Sequence, residues 1–171
     1  MGEMKNTFGG MAIVFIILAS FIDPVLSADL NSLVVPPRAG YVNDFSGIFS
    51  QKDRGRIEDK LKNFERKTGY TFLFVSLPVL DCIFQEQMCT SVVSRQWRLT
   101  KSNPNSVILF VSGINNRSRT YLGLGGKLEV DQTVYEQFIS GTVEPLIRES
   151  KLTTAYETYI DFVIRFLHSR N

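Results

Sequence analysis

The apolar positions change period along the chain, and each change marks an element. Val107-Ile108-Leu109-Phe110-Val111 is unbroken apolar sequence, the pattern of a strand buried on both faces. Gly113-Ile114-Asn115-Asn116 carries turn chemistry, because Gly and Asn accept the positive φ of a tight hairpin. Arg117 to Leu124 then alternates around Tyr121, which predicts a second strand antiparallel to the first. It ends in Gly123-Leu124-Gly125-Gly126, where backbone can approach backbone or a ligand closely. Tyr70 to Leu77 is β-branched and aromatic, is closed by Pro78, and predicts a third strand.

Around these strands the period lengthens. Ser50 followed by Asp53 has the spacing of a helix cap, and Ile57, Leu61 and Phe64 then share one face, with Lys60, Lys62 and Arg66 turned to water. Thr68-Gly69 stops this helix. Asp81 to Arg98 reads as a second helix with Phe84, Met88, Val92 and Val93 inward and Trp97 near its end. Asp131 can cap a third, burying Val134, Phe138 and Ile139. A turn or short helix starts at Pro145, and Thr153 to Leu167 makes a terminal helix with Tyr156, Ile160, Val163, Ile164 and Leu167 inward. Before all of these, Tyr41 to Phe49 reads as a loop with apolar anchors around a polar pair. The order predicts an α/β fold: a three-layer α/β/α sandwich with a small mixed β-sheet containing a central hairpin.

The N-terminal 27 residues read differently. Met11 to Ile22 is apolar with Lys5 before it, short of the roughly 20 residues that span a membrane. Asp23-Pro24 breaks it, and Val25-Leu26-Ser27 suits cleavage. Residues 1–27 are thus expected to be a signal peptide, with an uncleaved signal anchor as the other reading, 28–40 an extended leader stiffened by Pro36-Pro37, and 41–168 one domain. The expected location is extracytoplasmic: periplasm, secreted or an organelle lumen. No lipid anchor is expected, since position six is not Ser or Thr and no cysteine lies near the cleavage site.

Removing 27 of 171 residues leaves 144, enough for a core. Without Lys5, Glu3 and Asp23, 18 basic residues face 15 acidic ones, a net +3 dispersed along the chain. That excess is too small and too scattered to point to nucleic acid.

The chemistry-bearing residues are few. His168 is the single histidine and lies in the tail, which argues against Ser-His-Asp or Cys-His sites and histidine-based zinc sites. Cys89 to Arg95 has the C-x5-R spacing of cysteine phosphatases, yet its five intervening residues lack glycine and keep a helical rhythm. Cys82 and Cys89 are a candidate disulfide for an oxidising compartment, two buried thiols being the alternative. Seven residues of continuous helix rise about 10 Å, too far for a bridge, so a bridge works only if Cys82 lies before the helix and the chain curls back. Asn116-Arg117-Ser118 is a glycosylation sequon or simply a polar turn. Asp44 and Asp131 stand apart from the helical faces. They are either a turn residue and a helix cap, or two candidate ligands for a hard cation such as Ca2+.

From about Gly40 to Leu167 the order of features resembles the TPM domain family, found in photosystem II repair proteins of the thylakoid lumen and in exported bacterial proteins. The matching pieces are Val42 to Ser50, Thr68-Gly69, Trp97, Ser106 to Val111, Arg117-Arg119, Gly123-Leu124-Gly125 with Leu128-Glu129 and Asp131, then Pro145 and Arg148. The resemblance implies an α/β/α sandwich with an acidic cleft carried by Asp44 and Asp131. It also implies an interaction cleft drawing on Asn43, Trp97, Gly123, Gly125 and Glu129. Phosphatase activity has been assigned to some members, ion binding to others, and many look like accessory modules of membrane protein complexes. The sequence departs from the family where Asp-Asn-Gly usually precedes the central strand: here stands Pro104-Asn105-Ser106, one carboxylate fewer. The expectation is an exported accessory domain that works with a membrane protein complex, non-enzymatic and without a cofactor. The alternative is a low-activity acid phosphatase using Asp44, or a calcium-responsive module.

Overall fold

A computed structural model describes residues 35–78, 86–99, 105–113, 119–125 and 130–168. Four strands form one sheet in the order β1-β2-β3-β4: β1 (Val42–Asp44), β2 (Thr71–Leu77), β3 (Ser106–Ser112) and β4 (Arg119–Leu124). β1, β2 and β3 run parallel, and β4 closes an antiparallel hairpin with β3. The hairpin is therefore half interior and half edge. The expected strands are present, and a fourth, β1, replaces the expected loop at 42–44.

β2 and β3 are buried along their whole length. Their alternate residues feed two cores. Phe72, Phe74, Val107, Leu109 and Val111 face α1 (Gln51–Thr68) and α5 (Leu152–His168). Leu73, Val75, Leu77, Ile108 and Phe110 face α2 (Glu86–Gln96). The strands advance in one direction across the sheet while α1 and α2 cover opposite faces. The two βαβ crossovers thus have opposite hands, so one of them is the uncommon left-handed kind.

Local chemistry accounts for the helices. Ser50 caps α1 by accepting the Asp53 N–H, and Gly69 ends it at φ 74°, a left-handed conformation that glycine enters without a Cβ penalty. Ile57, Leu61 and Phe64 are its buried stripe. Lys60 does not simply face water: its Nζ lies 2.7 Å from Asp161 and 3.4 Å from Glu157, while Arg56 also pairs with Glu157. These pairs register α1 against α5.

Asp131 caps α3 (Gln132–Phe138), as its position suggested, accepting the Val134 N–H at 3.0 Å. Val134 itself is 48% exposed, against the expectation that it is buried. Tyr135 and Phe138 carry the packing instead, against Tyr159 of α5. A π-helical turn, Ile139–Val143, joins α3 to α4 (Glu144–Arg148). Pro145 explains it. Proline lacks an N–H and crowds the preceding turn, and widening that turn lets the Glu144 N–H bond to Ile139 O.

In α5, Tyr156, Ile160, Val163 and Leu167 are buried as expected, and so is Tyr159. The hydroxyls of Tyr159 and Tyr135 are hydrogen-bonded to each other. Burial, with Tyr135 alongside, holds the Tyr159 phenol well above its ordinary value of 10. At Tyr41 a hydrogen bond to the Glu65 carboxylate, then burial, raises the phenol as well. Both raised values mean that the fold favours the neutral phenol. Their contribution is complete below about pH 10, the unfolded value, and is lost as pH rises through the higher folded values. Alkaline titration followed at the tyrosinate absorbance is expected to show at least two phenols ionising late, together with unfolding. Tyr159→Phe should remove one of them and weaken the pH dependence of the thermal midpoint above pH 10.

Candidate functional site

The carboxyl ends of β1 and β2 form the place where an open α/β sheet ordinarily holds its ligands. The chain leaves β1 towards one face and β2 towards the other, which opens a crevice between them. Asp44 stands there, paired in register with Ser76. One of its oxygens accepts the Ile48 N–H at 3.0 Å and the Ser76 hydroxyl at 2.5 Å, and the other accepts the Phe49 N–H at 2.8 Å. Ser76 Oγ in turn accepts the Ser46 N–H at 3.1 Å. A carboxylate offers about four lone-pair positions, and three are engaged here, leaving about one for a cation.

The engaged carboxylate does structural work. It fixes the turn Phe45–Phe49, with Gly47 at φ 69°, and thereby delivers Phe49 into the core, 4.8 Å from the Phe74 ring. Thr153, in the first turn of α5, secures the same loop by donating to Ile48 O at 3.0 Å. The Ser46 hydroxyl on this loop is buried, with no hydrogen-bond partner among the described residues.

Asp131 lies elsewhere. β1 and β4 are the two edges of the sheet, and Asp131 opens the helix beside β4. The structure therefore does not bring Asp44 and Asp131 together. Among the described residues no group of three His, Cys, Asp or Glu side chains could share a metal ion. Pro104 and Glu129 lie outside the described residues, as do Cys82 and the sequon at Asn116.

The other residues expected in a cleft have definite places. Asn43 is wholly buried. Its Oδ1 accepts the Ala39 N–H at 2.8 Å and its Nδ2 donates to Gly40 O at 3.1 Å, folding the leader back on β1. Trp97 is partly buried and donates from Nε1 to Pro36 O at 3.0 Å. Gly125 donates its N–H to Ser106 O at 2.7 Å, beyond the last pair of the hairpin. Cys89 is buried on α2, and no cysteine among the described residues is free.

Gly123 does line a cavity. About 510 Å³ opens beside β4, between Thr90 and Ser91 of α2 on one side and Gln132 and Tyr135 of α3 on the other. A Cβ at position 123 would lie 2.6 Å from Thr90 Cβ, so glycine is what lets α2 sit this close to the strand. Nothing in the sequence announced this cavity except that glycine, because its lining is neutral and comes from three separate segments.

The architecture is that of an α/β/α domain built on a short, mostly parallel sheet. The model of the TPM domain matches residues 42–166, and the chain belongs to the TPM domain family. Its fold is similar to the solution structure of the N-terminal domain of a protein from P. gingivalis. The TM-score is 0.64 at 20% identity, over 76% of this chain and 83% of that one. No curated protein matches the chain.

The role of Asp44 is testable apart from any activity. Asp44→Ala leaves two loop N–H groups and the Ser76 hydroxyl without their acceptor. Each hydrogen bond to a charged group is worth about 1.5–3 kcal/mol, and partial replacement by water leaves an expected loss near 3 kcal/mol. Asp44→Asn, which retains an acceptor, should lose less. Denaturant unfolding of the three proteins checks the order.

Proposed function

We propose that this chain is an exported interaction domain that serves a membrane protein complex and does not catalyse hydrolysis. The observation that carries the reading is the engagement of Asp44 by three hydrogen bonds. The carboxylate at the crevice, which a phosphatase would need as a metal ligand or base, already accepts three hydrogen bonds that hold its own loop. Ca2+ takes six to eight oxygens, and about one lone pair of Asp44 gives it little to hold. A weakly held ion does not strongly activate a water. Pro104, where the family pattern carries an aspartate, removes a further ligand. The N-terminal apolar run supports export, and the near-neutral domain surface supports a protein partner over nucleic acid.

In the binding test, wild type, Asp44→Asn and Pro104→Asp are melted with calcium, magnesium or chelator. Calcium in the millimolar range is expected to leave the wild-type midpoint nearly unchanged, since stabilisation follows the logarithm of one plus ligand over Kd. Release of phosphate from a chromogenic ester should not depend on Asp44. A pull-down from solubilised membranes with the mature domain should recover an integral membrane protein. A large calcium-dependent rise, with turnover abolished by Asp44→Asn, would establish the hydrolase instead.

Export also motivates a Cys82–Cys89 bridge, which the absence of a free cysteine among the described residues supports. Closing so short a loop stabilises by roughly 2–3 kcal/mol in the chain-entropy account. Mass spectrometry of a non-reducing digest should find the two cysteines in one linked peptide; two alkylatable thiols in the exported protein would refute it.

A further inference from the structure

The two edges of the sheet are treated differently. At β1, the Phe74 N–H donates to Tyr41 O and Val42 stands opposite Phe74, so the main chain of Val42 turns outward. α1 meets it there. The Val42 N–H donates to Glu58 at 2.7 Å, and Arg54 donates to Val42 O at 3.4 Å. Gly40 lets Glu58 come so near, since a Cβ there would lie 2.5 Å from its carboxylate. That edge is closed by side chains.

At β4 the phase of the ladder follows from Gly125, whose N–H bonds to Ser106 O, and from the one-to-one register with β3. Alternate residues of an antiparallel strand bond to the partner. Tyr121 and Gly123 therefore turn their main chain to β3, while Thr120, Leu122 and Leu124 turn theirs outward. Their N–H and C=O groups recur about 6.8 Å apart, twice the rise of one residue in an antiparallel strand. They open into the cavity between α2 and α3. Among the described residues that line it there is no Asp, Glu, Lys, Arg or His.

We propose that this cavity takes an extended peptide segment of a partner, with small uncharged side chains, which pairs with β4 as a fifth strand. The inference rests on the interaction-domain reading and names the chemistry of the partner. Main-chain groups at strand spacing recognise a peptide backbone. The described lining gives a charged side chain no counter-charge to offset its desolvation, which favours a neutral segment. Thr90, Ser91, Thr120 and Gln132 make the described lining polar as well as uncharged. The walls formed by α2 and α3, and a volume suited to a short segment, leave room for one strand rather than for the helix-covered edge of another sheet.

The probe is acetylated, amidated Ser-Val-Thr-Val-Ser, titrated into 15N-labelled protein. Expected are shifts confined to β4 and its flanking helices, and slowed amide exchange at Leu122 and Leu124. Methylating alternate peptide amides should separate two series: one weakened roughly tenfold or more by loss of its bonds to β4, the other nearly unaffected. Leu122→Pro removes an outward N–H while sparing the β3 ladder, as edge strands allow, and should abolish binding. If that variant does not fold, the two methylated series decide on wild-type protein. Equal binding by both series overturns the proposal. So does the absence of shifts at β4 with millimolar peptide, a response there to a disaccharide alone, or self-association through β4. If the peptide fails while the domain still recovers a membrane protein, only this inference falls. Turnover that depends on Asp44 would instead remove the reading beneath it.

Discussion

Everything in this domain depends on two adjacent parallel strands that must be covered on both faces. β2 and β3 expose almost nothing along seven residues each, and a sheet so apolar needs a layer on either side. With so few parallel strands, two layers require consecutive connections to leave on opposite faces. The unusual hand of one crossover follows from that requirement. So does the crevice at the carboxyl ends of β1 and β2. The place where a ligand would sit is a by-product of how the core is sealed.

Asp44 stands in that crevice and is engaged by the loop it organises, while the opposite edge of the sheet carries a slot whose described lining is uncharged. A free edge is usually a hazard that proteins blunt with charge or cover. This chain does so at β1, with Glu58 and Arg54. At β4 the described residues show no such cover, and two helices stand beside the strand instead. A flanked edge has more room for a single strand than for the stacking of a whole sheet.

Much of the fold was legible because its signals are local. The apolar run of β3, the alternation of β4, the Ser50 cap and the Gly69 stop are each readable within a few residues. β1 was not, because three residues with one buried aliphatic carry no period, and only pairing with β2 makes them a strand. The inward face of α3 was misjudged at Val134, because seven helical residues before a π-turn fix the phase poorly. Tyr159 was missed because a buried phenol needs a partner, and Tyr135 lies in another element. Of the candidate site, the sequence singled out Asp44 and Gly123. It could not show that three hydrogen bonds occupy the first, or that the second sets the distance between α2 and β4.

The position of α5 in the chain has a consequence for biosynthesis. Its side chains Tyr156, Tyr159, Ile160, Val163 and Leu167 seal the core that α1 begins more than ninety residues earlier. Until the ribosome has made them, that core has only α1 and the short segments from Tyr135 to Ile147 to close it. The domain therefore lacks a finished core until α5 emerges, and docking of that helix completes the cooperative unit. A domain in that condition remains available to chaperones, and to any machinery that handles extended polypeptide, until α5 appears.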